Sequence, residues 1–106
     1  MYIKSSASIE GCRTEILIAA ITIIEPIFNE FHVGLVITSG AEKYKHKAKR
    51  SAHYRGDAID LRSRELSEEQ QIAVLGLLIN DLGPNFVVLL ESNHFHVEFS
   101  PVYEPT

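Results

Sequence analysis

Two well-separated segments of the chain carry side chains suited to binding one metal ion. The first runs from Ser51 to Asp60 and includes His53, and the second contains His94 and His96. Neutral imidazole and carboxylate are good ligands for divalent ions, and a catalytic zinc site commonly uses three protein ligands. On a strand, His94 and His96 would point to the same side. The pattern therefore predicts a mononuclear metal site, and a fold that brings both segments together.

Four short segments predict strands, because they are β-branched, alternate polar with apolar residues, or are bounded by turn residues. They are residues 33–38, 57–62, 86–90 and 94–99. Gly56, before the second strand, permits the turn that carries this strand back past His53. The turn-forming pair Ser92-Asn93 predicts that the last two strands form a hairpin.

Two helices are predicted around these strands. The first begins at about Thr14 and is disturbed at Pro26, whose ring and missing N–H kink or end a helix. Ser67 and Gln70 have the form of a capping box that opens the second helix, which continues to about Leu82. The predicted inner face of this helix consists of Ile72, Leu75, Leu78, Ile79 and Leu82. We therefore expect one α+β domain with a small, mainly antiparallel sheet and helices packed on one face.

Composition fits a single compact domain of 106 residues. The net charge of −4 argues against a general nucleic-acid binder, although the segment Lys43–Arg50 is basic. That segment either attracts anionic polymers or is a solvated loop. No uninterrupted apolar run is long enough for a membrane span, and the first residues lack the features of a secretory signal. The single Cys12 excludes an internal disulfide. The sequence does not indicate an oligomeric state.

The motif Ser51-x-His53-x-x-Gly56-x-Ala58-x-Asp60 resembles the signature of the zinc D-Ala-D-Ala carboxypeptidase family of peptidoglycan peptidases, which includes phage endolysins. The segment His94-Phe-His96-Val-Glu98 is similar to the strand that closes the metal site in these enzymes. The hedgehog signalling domain shares their fold. The resemblance implies that His53, Asp60 and His96 bind Zn²⁺, and that His94 assists the attacking water or steadies the transition state.

The resemblance also implies the substrate, the stem peptides of bacterial peptidoglycan. The expected activity is that of a carboxypeptidase or of a stem-peptide or cross-bridge endopeptidase. A phage-type lysis or virion enzyme, made in the cytoplasm of a bacterial host, fits this expectation. The alternative is a metal-stabilised binding or structural domain that has lost catalysis.

The chain departs from the family pattern at the general base. Many members have an acidic residue three positions before the last zinc histidine, where this chain has Asn93. Either Glu91 or His94 then accepts the proton of the water, or His94 exchanges roles with His96 on the metal. Glu98 shares the face of the histidines; it either orients a ligand or faces solvent, and solvent is favoured.

A second departure concerns the arginine that binds the substrate carboxylate in many members, in Thr-Ser-Gly-Tyr-Arg. Here Glu42 stands at that position. Arg50, Arg55 or a lysine of the basic segment is expected to compensate. Ser51 either hydrogen-bonds the substrate or fixes the loop.

Overall fold

A five-stranded mixed sheet forms the centre of the protein. The computed structural model describes residues 1–42 and 51–101. The strands are β1 (Tyr2–Ile3), β2 (Val36–Ser39), β3 (Ala58–Arg62), β4 (Phe86–Leu90) and β5 (His94–Phe99), in the spatial order β1-β2-β3-β5-β4. Among them, β1 and β2 run parallel and the other neighbours run antiparallel. The predicted α+β class and the β4–β5 hairpin are confirmed; β1 was not predicted.

Helices cover one face of this sheet. They are α1 (Thr14–Ala19), a π-helical segment (Ala20–Ile24), α2 (Glu25–Glu30) and α3 (Glu68–Leu82). Their apolar sides bury one core together with inward-facing strand residues such as Leu61, Phe95 and Val97. Because side chains alternate along a strand, Asp60, His94 and His96 lie on the opposite face. Within the described ranges, no helix combines the length and apolar character that crossing a bilayer requires.

The first helix continues past Pro26 through a widened turn. The N–H of Glu25 donates to the carbonyl of Ala20, five residues back, instead of the usual four. A proline lacks an N–H and clashes with the carbonyl four residues before it in a regular helix. The wider turn immediately before Pro26 relieves that conflict, so the predicted disturbance takes the form of the π-helical segment.

The capping box that opens α3 is confirmed. The hydroxyl of Ser67 accepts from the N–H of Gln70 at 3.2 Å, and Gln70 Oε1 accepts from the N–H of Ser67 at 2.9 Å.

The predicted inner face of α3 is partly wrong. Ile72 and Ile79 are 66% and 52% exposed, whereas Val74, Leu78 and Leu82 are buried. At about 100° per residue, Ile72 and Ile79 lie roughly a quarter-turn or more from the line that joins the buried positions. The helix carries more apolar residues than its sheet-facing stripe accommodates, and the sequence does not show where that stripe is centred.

Two neighbouring truncations on α3 test this assignment. Leu78→Ala removes a fully buried side chain and should lower the free energy of unfolding by roughly 2–5 kcal/mol. Ile79→Ala removes an exposed one and should change it by no more than about 0.5 kcal/mol. Urea unfolding of both variants beside the parent measures the difference. Equal losses would contradict the observed orientation of the helix.

Candidate metal centre

The sheet brings Asp60 and His96 together. Asp60 on β3 stands directly opposite His96 on β5 in the antiparallel register, so the two side chains are neighbours on the face away from the helices. His96 Nδ1 lies 3.1 Å from Asp60 Oδ1. The register thus joins two residues that are far apart in sequence.

His53 reaches the same carboxylate from a short 3₁₀ turn, Ala52–Arg55. Ser51 opens this turn, because its hydroxyl accepts from the N–H of His53 at 3.3 Å. His53 Nε2 lies 3.3 Å from Asp60 Oδ1. One donor atom from each of His53, Asp60 and His96 lies within 4.8 Å of the others, so these three residues could hold a metal ion.

Two of the three donor pairs, those that involve Asp60, have the spacing expected around a small divalent ion. In a tetrahedral site with bonds of about 2.1 Å, neighbouring ligand atoms are roughly 3.4 Å apart. Asp60 Oδ1 lies 3.1 and 3.3 Å from the facing nitrogens of His96 and His53. Two imidazoles and one carboxylate also form a three-ligand set that leaves a fourth position for water or substrate.

Gly56 makes the approach of His53 possible. It has a left-handed backbone with φ of 74°, and a Cβ at this residue would come within 2.0 Å of the carbonyl oxygen of Gly11. Its own carbonyl accepts from the N–H of Arg13 at 2.8 Å. The turn glycine of the motif therefore allows the left-handed turn, as predicted, and also packs closely against the segment that precedes α1.

The second nitrogen of His53 is fixed by the backbone. His53 Nδ1 lies 2.8 Å from the carbonyl oxygen of Gly40 and must donate to it. In the neutral form that binds metal, this leaves Nε2 unprotonated and facing Asp60, as a ligand requires.

Glu42 supports the residue that orients His53. Its carboxylate is buried and accepts from the N–H groups of Ser8, at 2.7 Å, and Gly40, at 2.8 Å, and from the hydroxyl of Ser39, at 3.1 Å. Burial opposes its ionisation, but these hydrogen bonds outweigh burial and hold the pKa of Glu42 below its usual range. Glu42, which stands where the resemblance implies an arginine, is thus part of the protein interior.

Glu98 contacts a predicted metal ligand, which the sequence alone did not indicate. His96 Nε2 lies 3.0 Å from Glu98 Oε1, on the side of the ring opposite Asp60. Solvent exposure was the favoured expectation for Glu98, and this contact corrects it. Because Glu98 follows His96 by two residues on one strand, the shared face was visible in the sequence. The hydrogen bond itself depends on side-chain geometry.

His94 and Glu91 lie beside the three donors. His94 Nε2 is 3.8 Å from Asp60 Oδ2 and 3.6 Å from Glu91 Oε1. Its Nδ1 is 2.6 Å from the side-chain oxygen of Asn93. Asn93, which cannot act as a base, therefore fixes the ring of the neighbouring histidine.

The remaining predicted site residues lie in different surroundings. Arg55 is exposed and its Nε is 3.1 Å from Asp57 Oδ2, so part of its charge is matched there. Arg50 and the basic segment 43–50 lie outside the described residues.

Asp60 and His96 stabilise each other's charged forms. Burial disfavours the charged form of Asp60, but the neighbouring imidazoles of His53 and His96 outweigh burial and hold its pKa well below the usual range. The hydrogen bond to Asp60, helped by Glu98 and opposed by burial, raises the pKa of His96 to about 9. Metal-free protein therefore carries a protonated His96 at neutral pH, and metal binding must displace that proton.

This pKa predicts how the stability of metal-free protein depends on pH. Folded His96 binds its proton more tightly than the unfolded residue, so its contribution is complete below pH 6.5 and is lost as pH rises to about 9. The loss should reach up to about 3 kcal/mol. Urea unfolding of chelator-treated protein between these pH values measures it, with His96→Gln as the control that lacks the slope. A flat profile in the parent protein would contradict the ion pair.

The contact of Glu98 predicts an effect on metal affinity. Glu98→Gln removes the charge that holds the His96 ring and should weaken zinc binding by roughly 10- to 100-fold. Glu91→Gln makes the same change of charge without touching a predicted ligand, so the affinity should stay close to that of the parent. Competition with a fluorescent zinc chelator gives both constants. Equal losses in the two variants would show a general charge effect instead.

No family model and no curated protein sequence matches this chain. The assignment of a metal-binding group therefore rests on the geometry of His53, Asp60 and His96. The identity of the ion and the reaction belong to the proposal that follows.

Proposed function

We propose that this protein is a zinc-dependent peptidase that hydrolyses peptide bonds of bacterial peptidoglycan, with a fold of the hedgehog and D-Ala-D-Ala peptidase type. The observation that carries the proposal is the meeting of His53, Asp60 and His96 around one point. The motif residues Ser51, Gly56 and the pair His94 and His96 are the features that resemble the family. A phage-type lysis or virion enzyme is the biological setting that we propose.

Zinc is the ion that the donor set favours. Two imidazole nitrogens and a carboxylate oxygen suit Zn²⁺ better than Mg²⁺ or Ca²⁺, which prefer oxygen ligands. Each imidazole has its other nitrogen held by an acceptor, Gly40 for His53 and Glu98 for His96. Such partners orient the rings and strengthen the ligands.

Bound at this group, zinc supplies Lewis-acid chemistry, polarising a peptide carbonyl and lowering the pKa of a water molecule. The chain's own residues supply the proton transfers. His94 Nε2 and Glu91 Oε1 lie 3.6 Å apart, and His94 approaches Asp60 through Oδ2, whereas His53 contacts Oδ1. One of them accepts the proton of the attacking water and a proton is then delivered to the leaving amine.

Asn93 sets the state in which His94 can act. Because the Nδ1–H of His94 donates to Asn93, the neutral ring presents an unprotonated Nε2 towards Glu91 and Asp60. That nitrogen can accept a proton from water and share it with Glu91. The departure from the family pattern at position 93 is therefore compatible with proton transfer by the His94–Glu91 pair.

Hydrolysis of purified muropeptides tests the proposal. Zinc-loaded protein should bind one zinc ion per chain and release products that mass spectrometry detects, whereas His96→Ala should lose both properties and melt at lower temperature. His32→Asn, an exposed histidine with φ of 58° that asparagine tolerates, is the matched control and should behave as the parent.

Two further variants separate the metal site from the proton transfer. His94→Gln and Glu91→Gln should keep zinc, and the residue that acts as the base should lose about 10²- to 10⁴-fold in kcat. Failure to bind zinc stoichiometrically would end the proposal. Zinc binding with no product from any muropeptide would favour the alternative, a metal-stabilised domain without catalysis.

A further inference from the structure

A cavity of about 410 Å³ opens beside the candidate metal centre. Its lining consists of Lys4, Thr38, Arg62, Arg64, Asn93 and His94. His94 belongs both to this lining and to the surroundings of Asp60, since its Nε2 lies 3.8 Å from Asp60 Oδ2. The cavity and the three metal-binding side chains are therefore adjacent parts of one surface.

The charge of the cavity is positive. Lys4, Arg62 and Arg64 contribute three cations, and Thr38 and Asn93 are neutral hydrogen-bonding residues. Glu65 pairs with both arginines. Its Oε1 lies 2.7 Å from Arg62 Nη2, and its Oε2 lies 3.9 Å from Arg64 Nε. The lining itself has three cations and no carboxylate, and the nearby acids Asp60 and Glu91 adjoin it through His94. The cavity is therefore suited to an anion.

Arg62 also has a donor that the described residues do not satisfy. Its Nε is buried and has no hydrogen-bond partner there. A buried donor without a partner is costly, and because this atom is closed to solvent, a bound acceptor reaches it only after a small shift of the Arg62 side chain. A carboxylate suits this donor, because guanidinium groups form charge-assisted hydrogen bonds with it.

Two other residues that the sequence analysis considered for this role are engaged elsewhere. Glu42, at the position of the family's arginine, is buried and binds the backbone of Ser8 and Gly40. Arg55 is paired with Asp57. The cationic cavity is thus a described surface that could compensate for the missing arginine.

We propose that the cavity binds a carboxylate of the peptide substrate within about two residues of the scissile bond. Arg62 follows Asp60 by two residues on β3, a step of about 7 Å, which two residues of extended peptide can span. The inference rests on the proposed peptidase function. Stem peptides offer two such groups: the C-terminal carboxylate and the α-carboxylate of a γ-linked D-glutamate.

Three forms of one peptide distinguish these sources. The probe is L-Ala-γ-D-Glu-L-Lys-D-Ala-D-Ala with both carboxylates free, with the C-terminus amidated, or with D-glutamate replaced by D-isoglutamine. Binding to zinc-loaded protein is followed by NMR chemical-shift titration, and cleavage by mass spectrometry. One of the two amides should bind roughly 10- to 100-fold more weakly than the free acid, the range expected for a lost charge-assisted hydrogen bond.

Variants of the lining identify the cations. Lys4→Gln and Arg64→Gln change exposed side chains, and Arg62→Gln tests the buried donor. Substitution of a residue that binds the carboxylate should weaken binding of the free acid. It should leave binding of the sensitive amide unchanged, because the variant and the amide remove the same contact. Ala73→Glu on the exposed side of α3 changes the net charge by the same amount and is the control. Zinc affinity of every variant reports whether the metal centre is intact.

The outcomes separate the two proposals. Equal binding of all three peptides, or variants that weaken all three peptides equally, would overturn the carboxylate site even if the peptides are cleaved. Binding that depends on one carboxylate and on the lining cations would support the site even without cleavage, in which case the peptidase function fails alone.

Discussion

The carboxylate of Asp60 is the contact on which the site depends. It lies on the sheet face away from the helices, within 3.3 Å of nitrogens from two histidines that reach it from different elements. A partly buried carboxylate needs a compensating positive charge. Protonated His96 provides this charge in metal-free protein, and a divalent ion would provide it when bound. The same geometry therefore serves the stability of one state and the ligand set of the other.

Close backbone contacts hold the histidine turn against the sheet. A Cβ at Gly40 would come within 2.2 Å of the carbonyl oxygen of Ser8, and Gly56 meets Gly11 in the same way. Glu42 joins the first of these contacts through the N–H groups of Ser8 and Gly40. The N-terminal segment thus supports the site through its backbone, which explains why short residues and an inward-facing glutamate occur there.

Much of the fold could be predicted from local patterns. The hairpin of β4 and β5 and the capping box of α3 follow from turn residues and alternation, which depend on neighbours in the sequence. The two-residue strand β1 could not be predicted, because its pairing with β2 depends on tertiary contacts. The exposure of Ile72 and Ile79 was missed for a related reason, since an apolar pattern does not show how wide a face the sheet will cover.

The candidate site also has features that the sequence predicts and features that it does not. Its three predicted ligands meet because their spacing fits a turn and a strand pair, whereas the roles of Glu98 and Glu42 depend on which atoms their side chains reach. The cationic cavity was also missed. Lys4 stands near the start of the chain, and only the parallel pairing of β1 with β2 brings that segment to the sheet.

Strand alternation gives β3 two opposite charges on one face, Asp60 and Arg62. Their direct pairing would neutralise the carboxylate without a histidine or a metal ion. Glu65 instead binds the guanidinium of Arg62 at 2.7 Å, on the loop that follows the strand. In the opposing strand, His96 stands across from Asp60 and His94 across from Arg62. One strand pair thus carries an anionic group suited to a metal ion and, one alternation further, a cationic group suited to an anion, with His94 between them.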